Sequence, residues 1–266
     1  MLEIFLFVSL AIALIGSFSA GFWDLKTTNI PDEVILIMST AGIFMWYVYA
    51  LTTGNFTYLT TSLLLGTTIF ILGWILYARG VWGLGDPALL ASMFYLIPDV
   101  LFFFDYISTL VVVALAYIIV YSIVAGARSP GVWTYFTKSM KKKIHYLPII
   151  VLIVIFSVLT YYSYPVIGNA SLWFAVIPVV AIFAVYAKGV EKIAFRKEIL
   201  ASKVREGDVL LESTRWTGLT KDEAEQIQKQ KGKIVVKDGI RLGLAFAIAL
   251  VLTILFGNIF LLLVGV

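Results

Sequence analysis

Residues 106–126 read YISTLVVVALAYIIVYSIVAG, an uninterrupted run that contains no charged side chain. A helix that crosses the hydrocarbon core of a bilayer needs about 20 consecutive, predominantly apolar residues. Hydrophobic residues make up 61% of the 266 residues and charged residues only 14%. Soluble domains carry about 25% charged residues, so this chain has too little polar surface for a water-soluble globule. The sequence therefore predicts an all-α polytopic membrane protein.

About eight segments have the length and apolar composition of membrane spans. The fourth and fifth are separated only by a short stretch around Asp105, and Pro98-Asp99 favours an early end to the fourth. The first segment lacks a basic N-terminal region, so we interpret it as a span and not as a cleaved signal peptide. The predicted spans are residues 2–23, 33–52, 57–78, 87–104, 106–126, 146–163, 170–188 and 240–264.

The lysines and arginines indicate an orientation. Cytoplasmic loops of membrane proteins carry an excess of these residues. With the N-terminus outside, all 20 of them fall on the cytoplasmic side, and the loops near 53–56, 99–105 and 164–169 contain none. A shift by one span would destroy this pattern. The sequence predicts an N-terminus outside and a cytoplasmic segment at 189–239.

The spans divide the chain into four predicted parts. These are catalytic membrane helices in 1–126, a further helix pair with its preceding cytoplasmic loop in 127–188, a small cytoplasmic domain in 189–239 and a final helix in 240–266. The small domain has an α+β pattern, because Thr220-Lys221-Asp222-Glu223 matches a helix capping box and Lys233–Lys237 is typical of a strand.

Composition excludes several kinds of site. The chain has no cysteine and one histidine, so disulfides, thiolate zinc sites and a cysteine nucleophile are excluded, and we expect no metal and no cofactor. The net charge of +4 is too small to indicate a nucleic-acid partner. The basic residues of 189–239 suit either anionic lipid headgroups or simple retention on the cytoplasmic side, and membrane lipid is an expected partner.

Two aspartates stand at the predicted cytoplasmic boundary. Asp24 ends the first span and Asp86 opens the fourth, and these helices run in opposite directions. Acidic residues at membrane depth are costly and are functional candidates by default. Two carboxyl groups held close together cannot both ionise easily, so one keeps a proton while the other activates water. The pair predicts the acid and base of an aspartic peptidase.

The glycines beside the second aspartate support the same interpretation. Gly83 and Gly85 permit backbone angles that other residues resist and allow close approach of a substrate strand. Each motif alone is also compatible with a turn and a helix cap, and it is their combination at one membrane face that favours catalysis. Trp23 and Trp82, which flank the two aspartates, are interpreted as residues of the interfacial aromatic belt.

These motifs resemble the type IV prepilin peptidases, and most closely the archaeal branch that includes the preflagellin peptidases. The resemblance is carried by Asp24 with the loop Asn29-Ile30-Pro31-Asp32 and by Gly83-Leu84-Gly85-Asp86, and it covers residues 1 to about 100. It implies a catalytic pair of Asp24 and Asp86 in a GxGD aspartic peptidase. Such enzymes remove a short basic leader from pilin-like or archaellin precursors at the cytoplasmic boundary. The chain departs from many members at Ala88, where they carry lysine.

Two other functions remain open from the sequence. Presenilin-like and signal-peptide-peptidase-like proteases also use a Gly-x-Gly-Asp motif, but their first aspartate lies deep in a span, whereas Asp24 ends one. A proton-coupled transporter could use Asp24 and Asp86 as proton carriers. Transporters often contain repeats and midplane acids, and neither feature is found here.

Overall fold

The computed structural model describes residues 1–80, 82–213, 218–230 and 232–264. Arg215 and Lys231, two of the basic residues behind the predicted orientation, lie outside the described residues. For a few residues only the backbone is described, namely Ile167, Asn169, Ala170, Leu172, Trp173 and Val264.

Helices dominate the described chain, and three short strands form one small sheet. The α-helices are α1 (Leu2–Thr27), α2 (Asp32–Thr53), α3 (Thr57–Ala78), α4 (Gly85–Leu96), α5 (Val100–Ala127), α6 (Pro130–Met140), α7 (Lys143–Ile167), α8 (Val176–Gly189), α9 (Lys221–Gln228), α10 (Gly243–Phe256) and α11 (Ile259–Val264). The strands are β1 (Arg196–Leu200), β2 (Val209–Leu210) and β3 (Lys233–Lys237), in the order β1-β3-β2. This composition confirms the predicted fold class.

Among the described residues, the five helices α1, α2, α3, α5 and α7 are long and apolar enough to cross a membrane. The chain is therefore a multi-pass membrane protein. The three other predicted spans contain the shorter helices α4, α8 and α10. The fourth span ends early because Asp99 Oδ1 accepts the amides of Leu101 and Phe102 and so starts α5. The last is interrupted at Gly257, which has a φ of 70°.

The chain forms two compact units. The first comprises Met1–Tyr117 and Glu198–Phe260, and the second comprises Ile118–Lys197 with the chain end from Leu261. The first four helices, most of the small sheet and α10 thus share one unit. The predicted division into four parts stays a prediction.

Helix α4 is the centre of the first unit, since nearly all its side chains from Pro87 to Leu96 are buried. Glycines on its neighbours allow the close packing. A Cβ atom on Gly42 of α2 would lie 2.5 Å from the main-chain carbonyl of Tyr95, and one on Gly66 of α3 would lie 2.5 Å from the Tyr95 ring. Small residues at such positions let membrane helices approach closely. A helix that is apolar on all sides is therefore enclosed by α1, α2 and α3.

The segment 189–239, here called the insert, has the predicted helix and the predicted strand. The capping box is present in full, because Thr220 Oγ1 accepts the Glu223 amide while the Glu223 carboxylate accepts the Thr220 amide. The predicted strand Lys233–Lys237 is β3, and it pairs antiparallel with β2 through Val209 and Lys237. Strand β1 was not predicted. The buried side chains of Val204, Ala224 and Val236 form a small core.

Candidate active site

Asp24 lies in the last turn of α1. The helix ends there because Thr28 adopts a left-handed conformation, with φ of 61°, and its amide donates to the Asp24 main-chain carbonyl at 2.8 Å. Although the helix ends, the Asp24 side chain is not solvated, since the residue is only 6% exposed. Its Oδ2 accepts a 2.8 Å hydrogen bond from the main-chain N–H of Gly243.

Gly243 is the first residue of α10, so its N–H is one of the amides that have no partner within the helix. Asp24 supplies the missing acceptor, and the positive end of the α10 dipole favours a carboxylate there. The two helices meet through glycine. A Cβ atom on Gly243 would lie 2.9 Å from the Asp24 Cβ, and one on Gly21 would lie 2.8 Å from the Leu244 Cα. No side chain therefore separates the carboxyl group from the start of α10.

Arg241 lies just before α10 and also contacts the end of α1. Its Nη1 donates to the main-chain carbonyl of Leu25, and its guanidinium is near enough to Asp24 to interact with it electrostatically. Its Nε is buried and has no hydrogen-bond partner among the described residues. From the sequence, Arg241 was expected only to be one of the basic residues on the cytoplasmic side. The signal available in the sequence was its position two residues before Gly243, at the start of the last apolar segment.

Asp86 lies in the first turn of α4, and its Oδ2 accepts a 2.9 Å hydrogen bond from the indole Nε1 of Trp82. The carboxyl group is near enough to Asp24 for the two side chains to interact electrostatically. The structure thus brings together two aspartates that are 62 residues apart in the sequence. Trp82, interpreted from the sequence as an aromatic-belt residue, thus also donates its N–H to Asp86.

The two glycines before Asp86 do not have the predicted backbone role. Neither Gly83 nor Gly85 has a positive φ, so the expectation of unusual backbone angles is wrong. Gly85 is instead needed for packing, since a Cβ atom there would lie 3.2 Å from the Cβ of buried Ile30. Gly83 has open space where its side chain would be. The loop after Asp24 and the loop before Asp86 therefore meet through Ile30 and Gly85.

Each carboxyl group is held at one oxygen by one N–H donor. Among the described residues, neither Oδ1 atom of Asp24 and Asp86 accepts a hydrogen bond. Two oriented carboxyl groups, each with one unbonded oxygen, can share a proton and a water molecule between them. No group of three or more histidine or acidic side chains in the described part of the chain could hold a metal ion.

Comparison with known proteins identifies the family that this part of the chain resembles. Residues 9–128 match the type IV leader peptidase family. The resemblance found in the sequence is thereby confirmed. A 95-residue stretch is also 30% identical to a preflagellin peptidase of Methanococcus voltae. That stretch covers 36% of this chain and 40% of the relative. No solved structure matches the chain.

Both aspartates and Trp82 lie within the stretch that matches the leader peptidase family. Arg241 and Gly243, which contact the end of α1, lie more than one hundred residues beyond it. The residues that contact Asp24 and Leu25 at the candidate site therefore come from a part of the chain outside the family match.

A cleft of about 780 Å³ in the second unit has a different chemistry. It lies between α7 and α8, and no carboxylate, lysine, arginine or histidine lines it among the described residues. Its polar groups are hydroxyls. Among the described residues, this lining therefore offers no carboxylate or imidazole for acid–base chemistry. The cleft is lined by Ile153, Phe156, Ser157, Thr160, Tyr161, Tyr162, Tyr164, Pro165, Ala175, Pro178, Val179 and Ile182.

Proposed function

We propose that this chain is a membrane aspartic endopeptidase that removes the short basic leader from type IV pilin-like or archaellin precursors. Asp24 and Asp86 form its catalytic pair. The observation that carries the proposal is that two carboxyl groups from different helices, buried Asp24 and half-buried Asp86, are near enough to interact electrostatically. The match of residues 9–128 to the type IV leader peptidase family supports the reaction class. The name of the M. voltae relative supports a flagellin-like precursor as the substrate.

The proposed chemistry needs one protonated and one ionised carboxyl group. The ionised group takes a proton from water, and the resulting hydroxide adds to the scissile carbonyl carbon. The protonated group donates to the carbonyl oxygen, which gives a tetrahedral intermediate. When the C–N bond breaks, the leaving nitrogen takes the proton that the first carboxylate accepted. One hydroxyl of the intermediate becomes the carbonyl of the new carboxyl terminus and returns its proton to the second carboxylate, which restores the starting pair. The two N–H donors, from Trp82 and Gly243, hold the carboxyl groups in place for both proton transfers.

We further propose that the pair faces the cytoplasm and that the N-terminus lies outside. The support is the distribution of the 20 basic residues, which all fall on one side in this arrangement. A leader that is still in the cytoplasm would then meet Asp24 and Asp86 at the boundary where its hydrophobic helix enters the bilayer. The open space beside Gly83 gives an extended segment room to approach Asp86.

The purified protein in detergent, without any ion gradient, is expected to shorten a synthetic pilin-like or archaellin precursor at one peptide bond. Asp24→Asn and Asp86→Asn are each expected to lower the rate at least about 10³-fold. Asparagine keeps an acceptor for Gly243 and for Trp82, so the fold is retained. Asp99→Asn is the matched control, since Asp99 caps α5 through an oxygen that asparagine also provides. Cleavage at the wild-type rate by either variant of the pair would exclude the assignment. A protein that cleaves no precursor but moves a solute across a vesicle membrane when a proton gradient is applied would favour the proton-coupled transporter.

Single cysteines test the proposed orientation, because the chain has none of its own. We expect a membrane-impermeant thiol reagent to label a cysteine at Asn55 in intact cells and a cysteine at Glu225 only after lysis. Both positions are exposed. The opposite labelling pattern would place the aspartate pair on the outer face.

A further inference from the structure

Two contacts join the end of α1 to the segment that leads into α10. The Arg241 side chain donates to the main-chain carbonyl of Leu25, and the Gly243 main-chain N–H donates to the side chain of Asp24. The adjacent residues Asp24 and Leu25 at the end of α1 thus contact two residues at or just before the start of α10, which are 219 and 216 residues away in the sequence. We call these two hydrogen bonds the α1–α10 clamp.

The partly buried position of Arg241 costs free energy of folding, which suggests that the side chain has a function there. Its Nε is buried without a hydrogen-bond partner among the described residues. A buried donor left unpaired destabilises a fold, and each such group in a native structure requires an explanation. An apolar side chain of similar length would pack at this position without that cost. The guanidinium instead lies beside Asp24, where its charge interacts with the carboxyl group.

The clamp acts on the direction of the Asp24 side chain. Leu25 immediately follows Asp24, and its carbonyl is among those at the end of α1 that have no partner within the helix. An arginine at such a helix end is favourable for the dipole and fixes the last turn. Because glycines at 21 and 243 leave no space between the helices, a small movement of this turn would move Asp24 off the Gly243 amide.

We propose that Arg241 is a positioning residue of the catalytic centre, which holds the last turn of α1 against the start of α10 and so orients Asp24 towards Asp86. The inference rests on the proposed function. It also gives the cytoplasmic insert a mechanical connection to the site, because only residues 238–242 separate the end of β3 from α10. The substrate is not contacted by Arg241 in this role.

The test compares Arg241→Gln and Arg241→Lys in precursor cleavage, with Arg205→Gln as the control for loss of one positive charge. Arg205 is exposed in the insert. Arg241→Gln is expected to lower kcat by about 10- to 100-fold with KM unchanged within about twofold, since misplacement of a catalytic group by about 1 Å can cost about 10²-fold. Arg241→Lys, which still carries a charged N–H donor, is expected to recover part of kcat. Wild-type kcat in Arg241→Gln overturns the inference, and so does a change in KM alone.

A second measurement needs no activity. Tm values of Asp24→Asn, Arg241→Gln and the double variant in detergent form a double-mutant cycle, in which contacting residues give non-additive effects. We expect a departure from additivity of about 2 °C or more. Additive shifts would contradict the clamp. If Arg241→Gln does not fold, the cycle is made with Arg241→Lys.

The two measurements separate the inference from the proposed function. A wild-type protein that cleaves no precursor but shows a non-additive cycle refutes the proposed function and retains the clamp. A wild-type protein that cleaves, together with a fully active Arg241→Gln variant, retains the proposed function and refutes the positioning role.

Discussion

The indole Nε1 of Trp82 donates a 2.9 Å hydrogen bond to Oδ2 of Asp86, four residues later. Trp82 lies before α4 and Asp86 lies in its first turn, so the bond fastens the preceding loop to the helix. The ring is partly buried against the core of the first unit, which restrains the donor. Asp86 is therefore oriented by a neighbour in its own segment, whereas Asp24 is oriented by the start of α10.

Trp82→Phe is expected to lower kcat by about tenfold or more while leaving the fold intact. The substitution removes the N–H donor together with the five-membered ring of the indole, and a hydrogen bond to a charged group contributes about 1.5–3 kcal/mol. Steady-state cleavage of a precursor measures the effect. Trp74→Phe is the control, since Trp74 is 54% exposed on α3. Equal rates for the two variants would show that the indole N–H has no part in catalysis.

Ile30→Ala is expected to destabilise the protein by about 2–4 kcal/mol and to lower activity as well. Ile30 is 4% exposed and packs where the loop after Asp24 meets the loop before Asp86, so truncation leaves a cavity at their contact. Thermal unfolding in detergent measures the change. Ile37→Ala removes the same atoms from a side chain that is 63% exposed on α2, and it is expected to leave Tm nearly unchanged.

The two glycines of the motif are expected to respond differently to alanine. Gly85→Ala would place a Cβ atom 3.2 Å from that of Ile30, so the buried Ile30 side chain must shift by a few tenths of an ångström and the Tm is expected to fall. Gly83→Ala meets no atom within 4 Å and is expected to leave the Tm unchanged. Loss of cleavage in a stable Gly83→Ala protein would then locate the substrate beside this residue. A lower Tm for Gly83→Ala than for Gly85→Ala would contradict this packing.

The capping box of α9 predicts a pH dependence of the insert. The hydrogen bond from the Thr220 amide to the Glu223 carboxylate holds the pKa of the Glu223 carboxyl below its usual range. The stabilisation is therefore present above the unfolded pKa of about 4.3 and is lost as pH falls through the lower folded pKa. Glu223→Ala is expected to increase amide exchange in α9 at pH 7. The difference from wild type should shrink below about pH 4. Glu225→Ala, at an exposed site on the same helix, is the control.

The fold class and the candidate aspartate pair could both be predicted from the amino-acid sequence. Long runs without charged residues are too apolar for a soluble domain and are typical of membrane spans. A span in a bilayer must be helical, because each backbone polar group then finds its hydrogen-bond partner within the same helix. Sequence motifs also predicted the structure correctly where the stabilising hydrogen bonds join residues that are close in the sequence. The Thr220–Glu223 capping box and the strand Lys233–Lys237 are both present as predicted. The two aspartates were identified because carboxylates are rare near membrane spans.

The groups that hydrogen-bond to these carboxyl groups became evident from the packing of the helices. The hydrogen bond of Trp82 was not foreseen, because an indole at a membrane boundary satisfies the belt pattern whether or not its N–H has a partner. Arg241 and Gly243 were missed because hydrogen bonds across 216 and 219 residues leave no periodic trace in the sequence. The role of Gly85 was likewise set by a distant residue, Ile30. Interactions between residues close in the sequence determine where helices form and end. The orientation of a buried side chain depends on the helix that packs beside it, and close packing in three dimensions selects that helix.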